Sequence, residues 1–390
     1  MFFDFDVKSA LLLVFFIHGI VFSILLWIKG KEDDDKPSIW LSVFTILCAL
    51  YISPFMLGYA GWYSKANYRD ILFYVPFQQL FLLPPLFYYY FRTLLDKSFI
   101  FSKREIIHFL PAMLYLLYSV VIFITDKIVL KEYYFYQDGK DKDLSTWYQV
   151  SGFISLTFYL VLSLKIYIKY KKITYNTLSF ADSLRFNWAK RFLLAFLLLL
   201  TVRGLFFIIN PEWGEFGKKF WYYLCFSILF YYISISGYVN SIRSVTSFKN
   251  LKSDQEPIKS LGDNLNLTAE KNEIQDLTLW KEKIENLMLV DKLYENPELT
   301  IAHLCNKTGT HSKKISQVIN QGFEMNFNDF VNHYRIKAVI NKMEKGEHYT
   351  ITLLGIAFDC GFNSKSTFNR SFKRNTKLSP KEYIEKHFQK

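Results

Sequence analysis

The stretch Thr350–Tyr383 reads TITLLGIAFDCGFNSKSTFNRSFKRNTKLSPKEY, and two short helices with a tight turn between them are written into it. Leu353, Leu354, Ile356, Ala357 and Phe358 supply an apolar face for the first helix. Gly361 ends it, because glycine takes the left-handed conformation without penalty. Asn363 or Ser364 caps the next helix by accepting from its free N–H groups. Phe368 and Phe372 stand four apart and share one face. Lys365, Ser366, Thr367, Asn369, Arg370, Lys373 and Arg374 fall on the remaining faces. A supporting helix, a glycine turn and a second helix that is polar and basic outside make a helix-turn-helix.

The segment IAFDCGFNSKSTFNRSFKRNTKLSP resembles the second helix-turn-helix of the AraC/XylS family of bacterial transcription regulators. The matching residues are Ile356, Ala357, Gly361, Phe362, Phe368, Phe372, Lys373 and Pro380, followed by Tyr383. Lys377 departs from the pattern, since the family usually has glycine there, and a local backbone difference is expected after the second helix.

Leu299–Gln321, LTIAHLCNKTGTHSKKISQVINQ, resembles the family's first helix-turn-helix. Leu299, Leu304, Ile315, Val318 and Ile319 are its core positions, Gly309 marks the turn and Ser312 begins the recognition helix. Thr308 stands where an aliphatic residue is usual, and His311 where a capping serine is usual. FNDFVNHYRIKAVINKM (327–343) then places Phe327, Phe330, Val331, Tyr334, Ile336, Ala338, Val339 and Ile340 along a long helix, similar to the one that holds the family's two readers apart. The resemblance covers about residues 280–388.

It implies base contacts from outward residues near the start of each recognition helix. In the first these are Ser312, Lys313, Lys314, Ser316 and Gln317; in the second, Ser364, Lys365, Ser366, Thr367, Asn369 and Arg370. Asn and Gln pair with adenine edges, Arg and Lys with guanine. Lys373, Arg374, Lys377 and Lys381 fit phosphate contacts, which give affinity without sequence information. Residues 363–390 carry eight Lys/Arg against Glu382 and Glu385, a net +6, the electrostatic footprint of a phosphate-backbone binder.

The rest of the chain has a different composition. Its 390 residues are 51% hydrophobic and 19% aromatic, yet the formal charge is +12. An apolar membrane part joined to a basic soluble part accounts for both. Seven apolar stretches approach the length needed to cross a bilayer: 7–28, 38–57, 71–94, 106–124, 148–168, 192–209 and 221–239. The first is too long for a secretory signal, lacks a basic leading region and is followed by six more. Trp27, Trp40, Trp62, Trp147 and Trp221 lie near span ends, as an interfacial belt would. Prolines at 54, 76, 84, 85 and 111 predict kinks in the second, third and fourth spans.

With the N-terminus outside, the inner loops at 29–36, 96–105 and 168–191 hold three, three and six Lys/Arg, twelve in all. The outer loops at 60–69, 125–146 and 210–219 hold eight. This bias and an odd span count both put the DNA-binding tail in the cytoplasm. The expected architecture is all-α: a seven-helix transmembrane bundle over 1–240, a linker over 241–279 and a DNA-binding domain with two helix-turn-helix motifs over 280–390. The expected location is the bacterial inner membrane.

Within the spans, Arg203 in FLLAFLLLLTVRGLFFIIN is the most costly polar group, at about 2.5–3.5 kcal/mol for mid-bilayer arginine. It is a candidate to pair with an acidic ligand or partner in the bundle interior, or else to snorkel to the interface or make a structural hydrogen bond. His18 and Gln78 are further candidate ligand contacts. No histidine boxes, HExxH, paired intramembrane aspartates or phosphate-cradling glycine loop occurs, so no enzyme and no cofactor are expected. Cys48, Cys225, Cys305 and Cys360 show no metal spacing and no CxxC, and they read as buried apolar residues. The outer loops are too short for a separate binding domain, so any signal enters the bundle or the bilayer.

Residues 240–273 lose the aromatics and read as a flexible tether. From Ile274 a helical pattern places Leu277, Trp280, Ile284, Leu287 and Tyr294 at three- and four-residue steps. It reads as the first helix of the DNA-binding domain, the alternative being a dimerisation or signalling helix, for which the pattern spans too few heptads to make a convincing coiled coil. The implied partners are double-stranded DNA, the lipid bilayer, a small-molecule ligand, a second copy of the chain and RNA polymerase. Rival readings are a transporter-like bundle with a regulatory tail, and a passive anchor.

Overall fold

The structure, a computed structural model, describes residues 6–96, 99–181, 186–209, 219–249 and 276–388. Among these every regular element is helical, apart from one isolated antiparallel bridge between Leu178 and Thr300. The chain divides into two compact units: Met1–Tyr167 with Asn187–Gln255, and Ile168–Phe186 with Glu256–Lys390.

The first unit begins with α1 (Val7–Glu32) and α2 (Lys36–Tyr59). Asp6 caps α1, its carboxylate accepting from the Val7 N–H at 2.6 Å. The two helices approach closely through small residues. Ser23 and Ser42 each donate to the other's carbonyl, at 3.0 and 2.7 Å, the kind of contact that joins helices where no hydrophobic force separates them from their surroundings. A Cβ on Gly19 would come within 2.7 Å of the Ala49 methyl, so only glycine permits this approach.

Next come α3 (Ala66–Tyr74), α4 (Leu83–Leu95) and α5 (Leu110–Phe123). The apolar stretch 71–94 is therefore not one helix, and proline chemistry explains the break. Pro76 pushes Val75 into the extended region, where α3 has already ended. Pro84 and Pro85 lie in the first turn of α4, where a missing N–H has no intrahelical partner to lose. Pro111 opens α5 in the same way. Pro54 lies inside α2. The prolines expected to kink the third and fourth stretches thus mark helix boundaries, Pro76 after the end of α3 and Pro84, Pro85 and Pro111 at helix starts.

α6 (Thr146–Thr177), α7 (Phe186–Ile209) and α8 (Phe220–Lys249) complete the apolar region. Among the described residues, five segments are long and apolar enough to cross a bilayer: Val7–Glu32, Lys36–Tyr59, Lys103–Leu130, Thr146–Thr177 and Phe220–Asn240. Several turn large apolar side chains outward, among them Val14, Ile17 and Ile24 of α1 and Met113, Leu114 and Leu117 of α5. Inside, α4 and α7 interlock through Phe87, Phe192 and Phe196, with Phe87 and Phe196 stacked 3.7 Å apart. The expected tether starts later than 240, because α8 continues to Lys249; its remainder, 250–273, falls outside the described residues.

The second unit holds α9 (Leu277–Leu289), α10 (Ile301–Thr308), α11 (Ser312–Gly322), α12 (Phe327–Glu344), α13 (Leu353–Asp359), α14 (Lys365–Thr376) and α15 (Pro380–His387). It has two apolar cores strung on one helix. Phe327, Phe330, Val331 and Tyr334 of α12 join Leu299, Leu304, Ile315, Val318 and Ile319. Ile336, Val339 and Met343, further along α12, join Ile356, Ala357, Phe362, Phe368 and Phe372. Ile284 and Met288 of α9 enter the first core, with Leu277, Trp280 and Leu287 against its rim. The helical pattern expected from Ile274 thus packs on the first core as a supporting helix.

Candidate nucleic-acid interface

Each helix-turn-helix is assembled by local chemistry. In the first, Thr300 precedes α10 and its N–H donates to His303 Nδ1 at 3.0 Å. Gly309 ends α10 with φ +70°, its N–H returning to the Cys305 carbonyl. α11 then starts after His311, whose backbone is extended but whose side chain makes no capping bond. Ile315, Val318 and Ile319 turn inward. Thr308 is buried, its hydroxyl donating to the Leu304 carbonyl at 2.7 Å, which is how a threonine is accommodated at an aliphatic position.

In the second, Thr352 caps α13, its hydroxyl accepting from the Gly355 N–H at 3.1 Å. Gly361 has φ +90°, and a Cβ there would run into the Tyr294 carbonyl and the Glu295 backbone. The glycine is required twice, by conformation and by space. Of the two capping candidates, Ser364 does the work: its hydroxyl accepts from the Thr367 N–H at 3.2 Å. Lys377 ends α14 in the left-handed region at φ +65°. The backbone keeps the shape a glycine would give, with a lysine bearing the strain. Ser379 and Glu382 then form a capping box at the start of α15.

Lys365, Ser366, Asn369, Arg370, Lys373 and Arg374 are all exposed on α14, with Ser364 half-buried at its start. On α11, Lys313 is exposed, and Ser312, Lys314 and Gln317 are partly so. Two expected contacts require correction. Ser316 is 5% exposed and Thr367 is 1% exposed. Each lies on the core side of its helix, Thr367 accepting from Ser364 Oγ and Ser316 from Asn320 Nδ2. Phe358 is corrected the other way, at 47% exposed rather than in the apolar face.

Two basic candidates already have partners within the domain. Lys314 Nζ sits 4.1 Å from the centre of the Trp280 ring, a cation–π contact. Arg374 Nη1 pairs with the Asp329 carboxylate of α12, and beside it Asn375 Oδ1 meets His333 Nδ1 at 2.8 Å. α14 is therefore tied to the start of α12 by polar contacts as well as by its phenylalanines. Cys360 is buried in the second core, and burial pushes its thiol up to about 11, fitting a small apolar residue rather than a reactive one.

The helix-turn-helix domain family matches residues 304–386, from within α10 to within α15. No curated protein and no solved structure matches the chain. The family match and two helix-turn-helix units on one shared helix support an AraC-type DNA-binding domain at this end of the chain.

In the first unit, Arg203 and Gln78 are brought into one buried network, joined by Gln149. Arg203 Nη2 donates to Gln149 Oε1 at 2.9 Å and to the Gln149 carbonyl at 3.2 Å. Gln149 Nε2 donates to Gln78 Oε1 at 2.9 Å, and Gln78 Nε2 to the Tyr223 hydroxyl at 2.8 Å. Asp143 takes the Gln78 backbone N–H at 3.0 Å. Arg203 Nε is buried with no hydrogen-bond acceptor. His18 lies apart from this network, against Ser234 Oγ at 2.6 Å and between the rings of Phe22 and Tyr231. Gln149 and Asp143 were not legible beforehand, because a lone amide at a span start and one aspartate in an acidic loop carry no pattern. No group of three or more His, Cys, Asp or Glu suited to a metal occurs among the described residues.

Proposed function

We propose that this is a membrane-embedded, sequence-specific transcription regulator: a multi-span helical bundle anchors the chain and senses a signal, and two helix-turn-helices read promoter DNA on the cytoplasmic side. The observation that carries the reading is the pair of helix-turn-helix units sharing α12, in the segment that the helix-turn-helix domain family matches. Two recognition helices held by one rigid helix suit successive major grooves, so that one chain covers an asymmetric half-site.

Lys313 and Gln317 of α11, with Lys365, Ser366, Asn369 and Arg370 of α14, are the base-reading candidates, and Ser312, Ser364 and Lys373 serve the backbone. Lys314 and Arg374 reach phosphate only by leaving Trp280 and Asp329.

Membrane embedding is supported by the outward apolar faces of long helices, since so much exposed apolar surface is rare on soluble proteins. The buried Arg203–Gln149–Gln78 network is the candidate ligand site, with Arg203 Nε open to a small acidic group. A ligand acts there only by binding two bundle states with different affinity. A second copy of the chain would raise the effective concentration of readers on tandem sites, and RNA polymerase is the partner such a reader would recruit or block.

Recovery of DNA crosslinked to the tagged full chain in its own host tests the reading. Enrichment of discrete promoter segments is expected. Uniform coverage, together with failure of the full chain to select any duplex from a random library, would overturn it.

A further inference from the structure

Between the two cores of the second unit lies a polar seam that DNA reading does not require. Arg335 is 1% exposed, and its guanidinium is held from several sides. Nε donates to the Tyr294 carbonyl at 2.8 Å, Nη2 to the Asn296 carbonyl at 2.7 Å, and Nη1 to Asn332 Oδ1 at 3.1 Å. Nη2 also donates to Ser179 Oγ at 3.2 Å. Asn328, fully buried two turns earlier on the same face of α12, donates Nδ2 to the Ser179 carbonyl at 2.7 Å. Ser179 returns its N–H to the Leu299 carbonyl at 3.1 Å, and Leu178 forms the antiparallel bridge with Thr300.

Leu178 and Ser179 are far from the reader in sequence but belong to the same compact unit. They follow directly on α6, one of the helices long and apolar enough to cross a bilayer. Three features mark this as a built contact. A backbone pairing fixes its register, a buried asparagine on α12 reads its carbonyl, and a buried arginine reads its hydroxyl. Undocking Leu178–Ser179 would take both carbonyl acceptors from Asn328 Nδ2 and one of the two acceptors from Arg335 Nη2 in a buried seam, which is costly.

We infer that Leu178–Ser179 is a docking segment of this chain for the reader, seated where the first helix-turn-helix begins, and that through it a shift of α6 changes DNA affinity. The placement explains how so small a contact can reach both readers. Thr300 fixes the start of α10. Arg335 joins α12 to the Tyr294–Asn296 turn, and Gly361 of the second helix-turn-helix packs on that same turn. The docked segment therefore supports the arrangement that binds DNA. The effect on affinity rests on the DNA reading proposed above; the docking does not.

The test uses the full chain in lipid nanodiscs, with a duplex that the wild-type chain enriches from a random library. In hydrogen exchange the Ser179 amide should exchange at least about tenfold more slowly than an open loop. Ser179→Pro removes the donor to Leu299 and should weaken binding of the enriched duplex by about tenfold, with Ser179→Ala weakening it less, in the same direction. Retained protection of the α12 amides shows that each variant is folded. A Ser179 amide exchanging at the open-loop rate overturns the docking. Unchanged affinity in a folded Ser179→Pro chain overturns the relay. A wild-type chain that enriches no duplex removes the DNA reading and the relay with it, while Ser179 protection still decides the docking.

Discussion

The two helix-turn-helices of this chain share one helix and solve the same packing problem, yet their recognition helices are finished differently. α14 begins on a serine whose hydroxyl caps it and presents seven polar or basic side chains to solvent. α11 begins on His311 with no side-chain cap, and one of its lysines lies over Trp280. The second reader caps its own recognition helix. The first leans on its surroundings, through Trp280 of the supporting helix and through the Leu178–Thr300 pairing at the start of α10.

This contrast can be broken most forcefully in the second core. Phe372 is fully buried between Phe368 and Tyr383, and Phe372→Ala should cost about 3–5 kcal/mol. Hydrogen exchange should show α13–α15 opening while the core around Ile315 stays protected; loss of both together would mean that the two cores are one cooperative unit. Next in size, Arg370→Ala should cost about 1–3 kcal/mol and relax base preference at one position, whereas Lys373→Ala should weaken all duplexes alike and lower the salt slope by about one. Identical behaviour across a panel of mutated sites would contradict that division of labour.

Giving α11 the cap it lacks, His311→Ser, should stabilise the unit by about 1 kcal/mol in urea unfolding. No gain would mean that the histidine already serves the turn in another way. The smallest effect expected is at Lys377, held at φ +65°. Lys377→Gly should relieve about 0.5–1 kcal/mol of strain, the loss of one charge being its only electrostatic consequence. A destabilised variant would show that the lysine side chain does more than bear the strain.

Much of the second unit was legible because independent signals coincide at fixed spacing there. Gly361, Ser364, Phe368 and Phe372 each have a local reason to be where they are, and the structure uses all four as expected. Lys377 was read as a departure that would alter the backbone, yet the helix ends in the same left-handed geometry. Ser316 and Thr367 look outward because a short hydroxyl side chain reads as polar by composition, while helical phase places Ser316 three residues before buried Ile319 and Thr367 four before buried Ser371, on the core side. Arg335 is hidden from a sequence reading for the converse reason. It stands four residues after Val331, on the buried face of α12, but a charged residue in an apolar helix reads as solvent-facing until its partners are known, and Ser179 lies 156 residues away.

The apolar region was legible in composition and less so in its helix boundaries. Hydropathy does not register that Pro76, Pro84 and Pro85 divide 71–94 into two shorter helices, because prolines inside a hydrophobic window barely lower its mean. The Arg203–Gln149–Gln78 network was half visible: the costly arginine stood out, its amide partner did not.

Footprinting of the tethered full chain on an enriched promoter tests the central claim most directly. Two protected patches on one face of the duplex, centred about 10–10.5 bp apart, are predicted for two recognition helices set on one rigid α12. A single protected patch, or none, would contradict an account in which both helix-turn-helices read DNA from one chain.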